Sequence, residues 1–249
     1  MKALRPALFA TILALALSTP ARAAVVMFGS TADFEPYNYL DDEGVLQGFE
    51  ADLAQILCER ANLTCDWALA PWEDMITALQ EGEFDLIMTG MQITPEREAL
   101  IDFTEEYFPA DPSAILVLAG SGAPGSFTVV GAQEGSLQAD YVSEQGWSLS
   151  SFEAPDDAVQ ALLAGQIGAY VADQAYLETV IAANPGSFSL AETGLVIGGG
   201  IGIGVLPGNS ALRVALNQAI ASVKADGTLD ALIGTWFNGR DPNYRGASQ

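Results

Sequence analysis

Basic side chains are scarce in this chain, and one of them stands where a bound anion would be met. Between Ala24 and Leu212 the sequence contains Arg60 and Arg97 and no other lysine or arginine. Arg97 belongs to the stretch Asp85 to Thr104, DLIMTGMQITPEREALIDFT. The apolar run Phe84 to Met88 predicts a buried strand, and Thr89-Gly90-Met91-Gln92 a tight turn. Thr94 then reads as the N-cap of a helix, with Pro95 at the first helical position, where its missing N–H costs nothing. Arg97 falls in the first helical turn, beside the positive end of the helix dipole, an arrangement unfavourable by up to about 1 kcal/mol. A guanidinium fork, unpaired N–H groups and a glycine that admits close approach together suit a carboxylate. The competing reading is a surface pair between Arg97 and Glu98, Asp102 or a neighbouring acid.

Asp173 offers the complementary charge. It ends the apolar strand Gly168–Ala172 and starts a helix, so it reads equally as an N-cap or as a ligand group. The second reading draws on geometry: open α/β sheets bind ligands at the C-terminal edges of their strands. Phe34, Tyr37 and Trp72 supply aromatic surface that is either core or cleft.

The elements that must position these groups alternate regularly. Strands are expected at Val25–Ser30, Leu63–Ala70 and Phe84–Met88, with helices at Glu50–Ala61 and Trp72–Gln80 between them. Phe103 to Pro109 reads as a surface connection and Gly120–Gly125 as a turn. A second unit follows, with strands at 128–133, 149–152, 168–172 and 188–190 and helices at 136–145, 156–164 and 173–183. The alternating glycines of Gly198–Val205 suit a strand crossing where backbones pack closely. Two helices, Ser210–Ala225 and Thr228–Phe237, close the chain. This order predicts an α/β fold with parallel strand pairs, in two units.

Composition narrows the function. Lys2 and Arg5, the apolar run Ala7–Leu17 and Ala21-Arg22-Ala23 form a secretory signal over residues 1–23, with cleavage after Ala23. The run is too short to span a bilayer, and no cysteine at the cleavage site offers a lipid anchor. The mature chain has 226 residues, with six basic against 32 acidic side chains and a net charge of −26. Such a surface excludes nucleic acid and anionic membranes as partners. No histidine is present, which removes imidazole triads and the HExxH zinc helix; no metal or cofactor is expected. In an exported protein Cys58 and Cys65 read as a structural disulfide, with a free thiol as the alternative.

The stretch around Arg97 resembles the signature of the type II periplasmic solute-binding proteins for polar amino acids. The similarity to the lysine/arginine/ornithine and histidine binders, which share the cysteine spacing, covers essentially the whole mature chain. It implies two lobes, each a mixed sheet flanked by helices, joined by a two-segment hinge: residues 24–112 plus 203–249, and 113–202. It implies that Arg97 clamps a ligand carboxylate over the turn Thr89, Gly90 and Gln92, and that Asp173 takes the ammonium. The Asp173 match runs through Gly165 and Gly168. Phe34 and Trp72 correspond to rings against the ligand, and Ser136 to a second-lobe contact to the carboxylate. Three positions depart from the pattern. Gln92 replaces a serine or threonine, Leu137 a threonine, and Thr31 the aspartate with which the basic-amino-acid binders meet a distal charge. Glu35 or Glu134 would compensate for the last. The implied function is non-catalytic capture of a neutral or basic L-amino acid, by a periplasmic monomer serving the permease of an ABC importer. The alternative is a cyclohexadienyl dehydratase-like enzyme on the same fold, with Glu134 as its general acid.

Overall fold

The computed structural model describes residues 25–121 and 129–237. The signal segment expected at 1–23 and most of the turn expected at Gly120–Gly125 lie outside the described residues. Strand β1 (Val25–Ser30) leads into a small antiparallel sheet of β2 (Asp33–Phe34), β3 (Asn38–Leu40) and β4 (Leu46–Gln47), and then into α1 (Phe49–Ala61) and β5 (Thr64–Leu69). A 3₁₀ turn at Trp72–Asp74 runs on into α2 (Met75–Glu81), β6 (Leu86–Ile87), α3 (Pro95–Glu98) and β7 (Asp102–Phe103). The second unit comprises β8 (Ser113–Leu118), β9 (Val129–Gln133), α4 (Leu137–Glu144), β10 (Ser148–Phe152), α5 (Pro155–Leu163), β11 (Ala169–Asp173), α6 (Gln174–Ala183) and β12 (Phe188–Leu195). The chain then returns through β13 (Gly204–Val205) to α7 (Ser210–Ala225) and α8 (Thr228–Trp236).

Two five-stranded mixed sheets result, in the orders β5-β1-β6-β13-β7 and β10-β9-β11-β8-β12. In each, three neighbouring strands run parallel: β5, β1 and β6 in the first, β10, β9 and β11 in the second. The helices between them are right for such crossovers because their apolar residues fall on one face. In α1, Leu53 and Leu57 are buried against Leu216 and Ile220 of α7 and Leu229 of α8. Each such side chain taken fully out of water contributes about 1.5–3 kcal/mol. The last two helices thus complete the core of the first lobe although they follow the second in sequence. The second lobe has its own core, with Leu116, Leu162 and Tyr170 on one face of its sheet and Val117, Val130 and Val171 on the other.

Several elements differ from their expected form, each for a packing reason. The strand expected at Phe84–Met88 is ladder-paired only at Leu86–Ile87. Its flanks are buried, but Phe84 packs into the α2 cluster rather than extending the sheet. The helix after Thr94 is one turn long, Pro95–Glu98, because the chain turns at once into β7. The segment Phe103–Pro109 is not a surface connection. Tyr107 and Phe108 are buried, and Tyr107, Phe108 and Gln92 all pair with Ile201 of the returning chain. Gly198–Val205 is accordingly not one continuous strand but a bridge at Ile201 followed by β13. Tyr37 belongs to the core, its hydroxyl donating to buried Asp111 at 2.6 Å.

Cys58, near the end of α1, and Cys65, in β5, form a disulfide. Closing so short a loop contributes about 2–3 kcal/mol in the chain-entropy model. It ties the helix to the edge strand of the first sheet, next to the left-handed cap at Asn62 (φ 55°) that lets the chain reverse.

Candidate functional site

The C-terminal ends of the parallel strands of both sheets converge on one cavity. From the first sheet, the chain beyond β1 brings Phe34, the chain beyond β5 brings Trp72, and the turn after β6 brings Thr89, Gly90 and Gln92 with Arg97 behind them. From the second, the end of β9 leads to Ser136, and β11 ends on Asp173. All eight residues singled out from the sequence line this cavity. Leu137 and Thr31 line it too, whereas Glu35 and Glu134 are not among the described residues around it.

Arg97 is held at several points. Its Nη1 donates to the Gln92 carbonyl at 2.8 Å, and its Nη2 reaches the Gly135 carbonyl of the second lobe at 3.4 Å. Its guanidinium carbon lies 5.2 Å from the centroid of the Trp72 ring, a cation–π contact. Among the described residues it forms no salt bridge: the expected surface partners Glu98 and Asp102 do not pair with it. Burial lowers its pKa from the ordinary arginine value, while the charges of Asp140, Asp173 and Glu96 oppose that shift from a distance. The result is a partly desolvated cation bonded only to neutral groups, which is what an incoming carboxylate needs. Thr94 caps the short helix as expected, accepting from the Arg97 N–H at 3.3 Å. A one-turn helix sums few peptide dipoles, so the guanidinium rather than the helix end supplies the positive field.

Asp173 is buried and is not an N-cap by its side chain. Instead its Oδ1 accepts from Gln138 Nε2 at 2.8 Å and from Ser113 Oγ at 3.4 Å. These two neutral donors hold the carboxylate at the cavity wall. Ser136 does cap its helix, accepting from the Ala139 N–H at 3.2 Å while donating to the Gln133 carbonyl at 2.7 Å.

The floor rests on a group that the sequence reading treated only as a helix residue. Glu50 of α1 is fully buried. It accepts from the Gly90 N–H at 2.7 Å, from Asn38 Nδ2 at 2.6 Å and from the Tyr107 hydroxyl in a short bond. Gly90 takes φ +67°, and a Cβ there would stand 3.8 Å from the Phe34 ring. The backbone conformation rather than space therefore asks for glycine. Phe34 stacks on Tyr37 (5.5 Å) and on Tyr176 of the second lobe (4.9 Å), which makes it a clasp between the two cores as well as a wall of the cavity. Gln92 is the site's outlier. It is 4% exposed, and neither its amide nitrogen nor its amide oxygen has a hydrogen-bond partner.

Asp33, Gln138 and Glu50 were not singled out from the sequence. Gln138 has a weak signal, as a residue in the first turn of a helix expected at 136–145. Glu50 has none beyond its place near the helix start. Asp33 enters the cavity because Ala32 adopts a left-handed backbone, φ 58°, a bend that no side-chain periodicity announces.

Residues 26–239 match the family model of the bacterial extracellular solute-binding proteins, family 3. Among curated proteins, the chain is 28% identical to ABC transporter arginine-binding protein 1 of Escherichia coli (strain K12), over 85% of this chain and 90% of that one. It is also 28% identical to the histidine-binding periplasmic protein of the same strain, over 91% and 94%. Among solved structures, it superposes with a TM-score of 0.83 and 37% identity on a periplasmic His/Glu/Gln/Arg/opine family-binding protein from Silicibacter pomeroyi in complex with lysine, covering 87% of this chain and 98% of that one. With two mixed sheets meeting at one cavity and a family match along nearly its whole described length, this chain belongs to the family 3 bacterial extracellular solute-binding proteins and has their two-lobed type II fold.

Proposed function

We propose that this protein captures a polar L-amino acid, neutral or basic, outside the cytoplasm and delivers it to the permease of an ABC importer. The observation that carries the reading is the pairing of unlike charges across one cavity. Arg97 of the first lobe and Asp173 at the end of β11 in the second line the same space. A zwitterion spanning them satisfies both, the carboxylate on Arg97 and the ammonium on Asp173, with the Thr89–Gln92 turn and Ser136 alongside. Because the two groups belong to different lobes, the ligand favours the closed arrangement over the open one by the contacts it makes to both. The crossings near residues 110–116 and 199–203 serve as the hinge in this account. The signal segment ends after Ala23 and sends the chain to the periplasm. The dehydratase alternative loses its general acid, since Glu134 does not line the cavity.

A melting assay over the twenty amino acids plus ornithine, citrulline and opines tests the proposal. At a ligand concentration 100 times Kd, binding to the native state adds about 2.7 kcal/mol, which raises Tm by about 5–11 °C for a chain of this size. One or a few compounds should produce that rise. Unchanged melting across the whole panel would overturn the amino-acid reading.

A further inference from the structure

Two of the positions that depart from the expected pattern, Gln92 and Leu137, meet across the cleft. Gln92 belongs to the turn after β6 in the first lobe, and Leu137 opens α4 in the second. Both line the cavity. Gly198, just ahead of the second crossing, closes the space behind them, since a Cβ built on it would press on the ends of both side chains at once. The Gln92 backbone is pinned. Its carbonyl accepts from Arg97 Nη1 at 2.8 Å, it pairs with Ile201, and the following N–H, of Ile93, donates to the Gly200 carbonyl at 2.9 Å. The side chain therefore cannot be withdrawn from the junction by a small shift of the chain. Its amide is buried, and neither polar atom has a hydrogen-bond partner. The groups packed on it, a Leu137 methyl and the Gly198 backbone, give it none. An amide taken out of water without a partner loses the hydrogen bonds it made there, which is costly and rare in folded proteins.

We infer that Gln92 is an affinity-setting residue that works against capture: closing the lobes drives its amide out of water and against Leu137 and Gly198. The inference rests on the reading of ligand-driven closure between Arg97 and Asp173. The cost falls on the closed arrangement alone, because Leu137 comes from the opposite lobe and water reaches the amide once the lobes part. A binding-competent state that is less populated weakens the apparent affinity in proportion. The protein consequently holds its amino acid less tightly than its clamp allows and lets it go sooner, which suits a carrier that must surrender its cargo. A direct bond from the Gln92 amide to the ligand would have the opposite sign, so the sign of one substitution decides between them.

Calorimetric titration and stopped-flow dissociation of wild type and Q92M, with L-arginine, L-histidine and L-glutamine as probes, supply that sign. Q92M keeps the length and flexibility of the side chain and removes its hydrogen-bonding amide. Each probe that binds should bind Q92M tighter by roughly fivefold to a hundredfold, the worth of one unpaired buried polar group, mostly through slower dissociation. With a fluorophore on each lobe, unliganded Q92M should show a shorter mean interlobe distance than wild type, a shift that altered packing within one lobe would not produce. L137T, which offers the amide a hydroxyl from the other lobe, should also tighten binding and should bring no gain in a Q92M background. Binding by Q92M that equals or falls below wild type overturns the inference and leaves the clamp standing, as does an L137T gain that persists undiminished in Q92M. Should Q92M fail to fold, L137T alone decides, and unchanged or weaker binding overturns the inference. If wild type and Q92M alike bind none of the twenty amino acids, the clamp reading itself fails and this inference falls with it.

Discussion

Arg97→Ala is expected to weaken amino-acid binding by at least two orders of magnitude while leaving the unliganded fold intact. The magnitude follows from what the substitution removes. A partly desolvated guanidinium that forms no salt bridge among the described residues is the one basic side chain among the described residues that line the cavity. A ligand carboxylate bonded to it loses its counter-charge when the side chain is truncated. Breaking one partner of a desolvated pair costs about 3–5 kcal/mol, and each 1.4 kcal/mol is a factor of ten in Kd. The fold should not suffer in proportion. Arg97 donates to two carbonyls and covers Trp72, but burial already lowers its pKa, so its charge is a cost to the free protein. Titration calorimetry together with a melting curve separates the two effects. An affinity close to wild type would return Arg97 to a surface role.

Glu50→Ala is the second substitution with a large expected effect, and it acts on stability. The carboxylate accepts from the Gly90 N–H, the Asn38 amide and the Tyr107 hydroxyl, and all three donors are left unpaired when it is removed. Unsatisfied buried donors cost about 1–3 kcal/mol each at the upper end of a non-additive scale, so a total of about 3–5 kcal/mol is expected. That lowers Tm by about 6–20 °C. The loss has a pH dependence of defined sign. Burial raises the Glu50 pKa above its ordinary 4.5, against the three hydrogen bonds that lower it. With the higher value in the folded state, the native protein holds more protons between the two values. The contribution from this proton is therefore complete below the ordinary pKa and is lost as the pH rises through the folded one. The deficit of the alanine variant should be largest in acid and shrink toward neutral pH. Thermal melts of both proteins across that range check it, and a variant that melts with the wild type at every pH would contradict it. Because Glu50 anchors Gly90, the variant should also bind ligand less tightly, through disorder of the floor rather than loss of a ligand contact.

The cavity was legible in the sequence to the extent that its walls are set by local chemistry. Thr94-Pro95 announces itself through capping and the strand ends through apolar runs, and those signals place Arg97 in the first turn after Thr94 and Asp173 at a strand terminus, while Ser136 entered through the resemblance. The groups behind them carry no such mark. Glu50 reads as one more acid on a helix until Tyr107, 57 residues away, is folded against it. Tyr107 in turn was read as surface because the segment that covers it, at Ile201, was read as a crossing strand with no sign of which chain it would pack on. Gly198 shows the same limit. It takes φ +83°, a conformation that favours glycine, and a Cβ there would also press on the ends of the Leu137 and Gln92 side chains, which come from two distant segments. Asp33 was missed because the bend at Ala32 redirects it, and Glu35 and Glu134 were considered in its place because they too are acids near the cleft in sequence.

The central claim is that one guanidinium and one carboxylate, contributed by opposite lobes, hold the two charged ends of a single small molecule. A crystal structure of the protein with the amino acid that raises its Tm most tests this directly. The account predicts the ligand carboxylate on the Arg97 guanidinium and the ligand ammonium on the Asp173 carboxylate, each within hydrogen-bond distance of about 2.7–3.2 Å. A ligand seated elsewhere, or seated in this cavity with either end turned away from its partner, would contradict it.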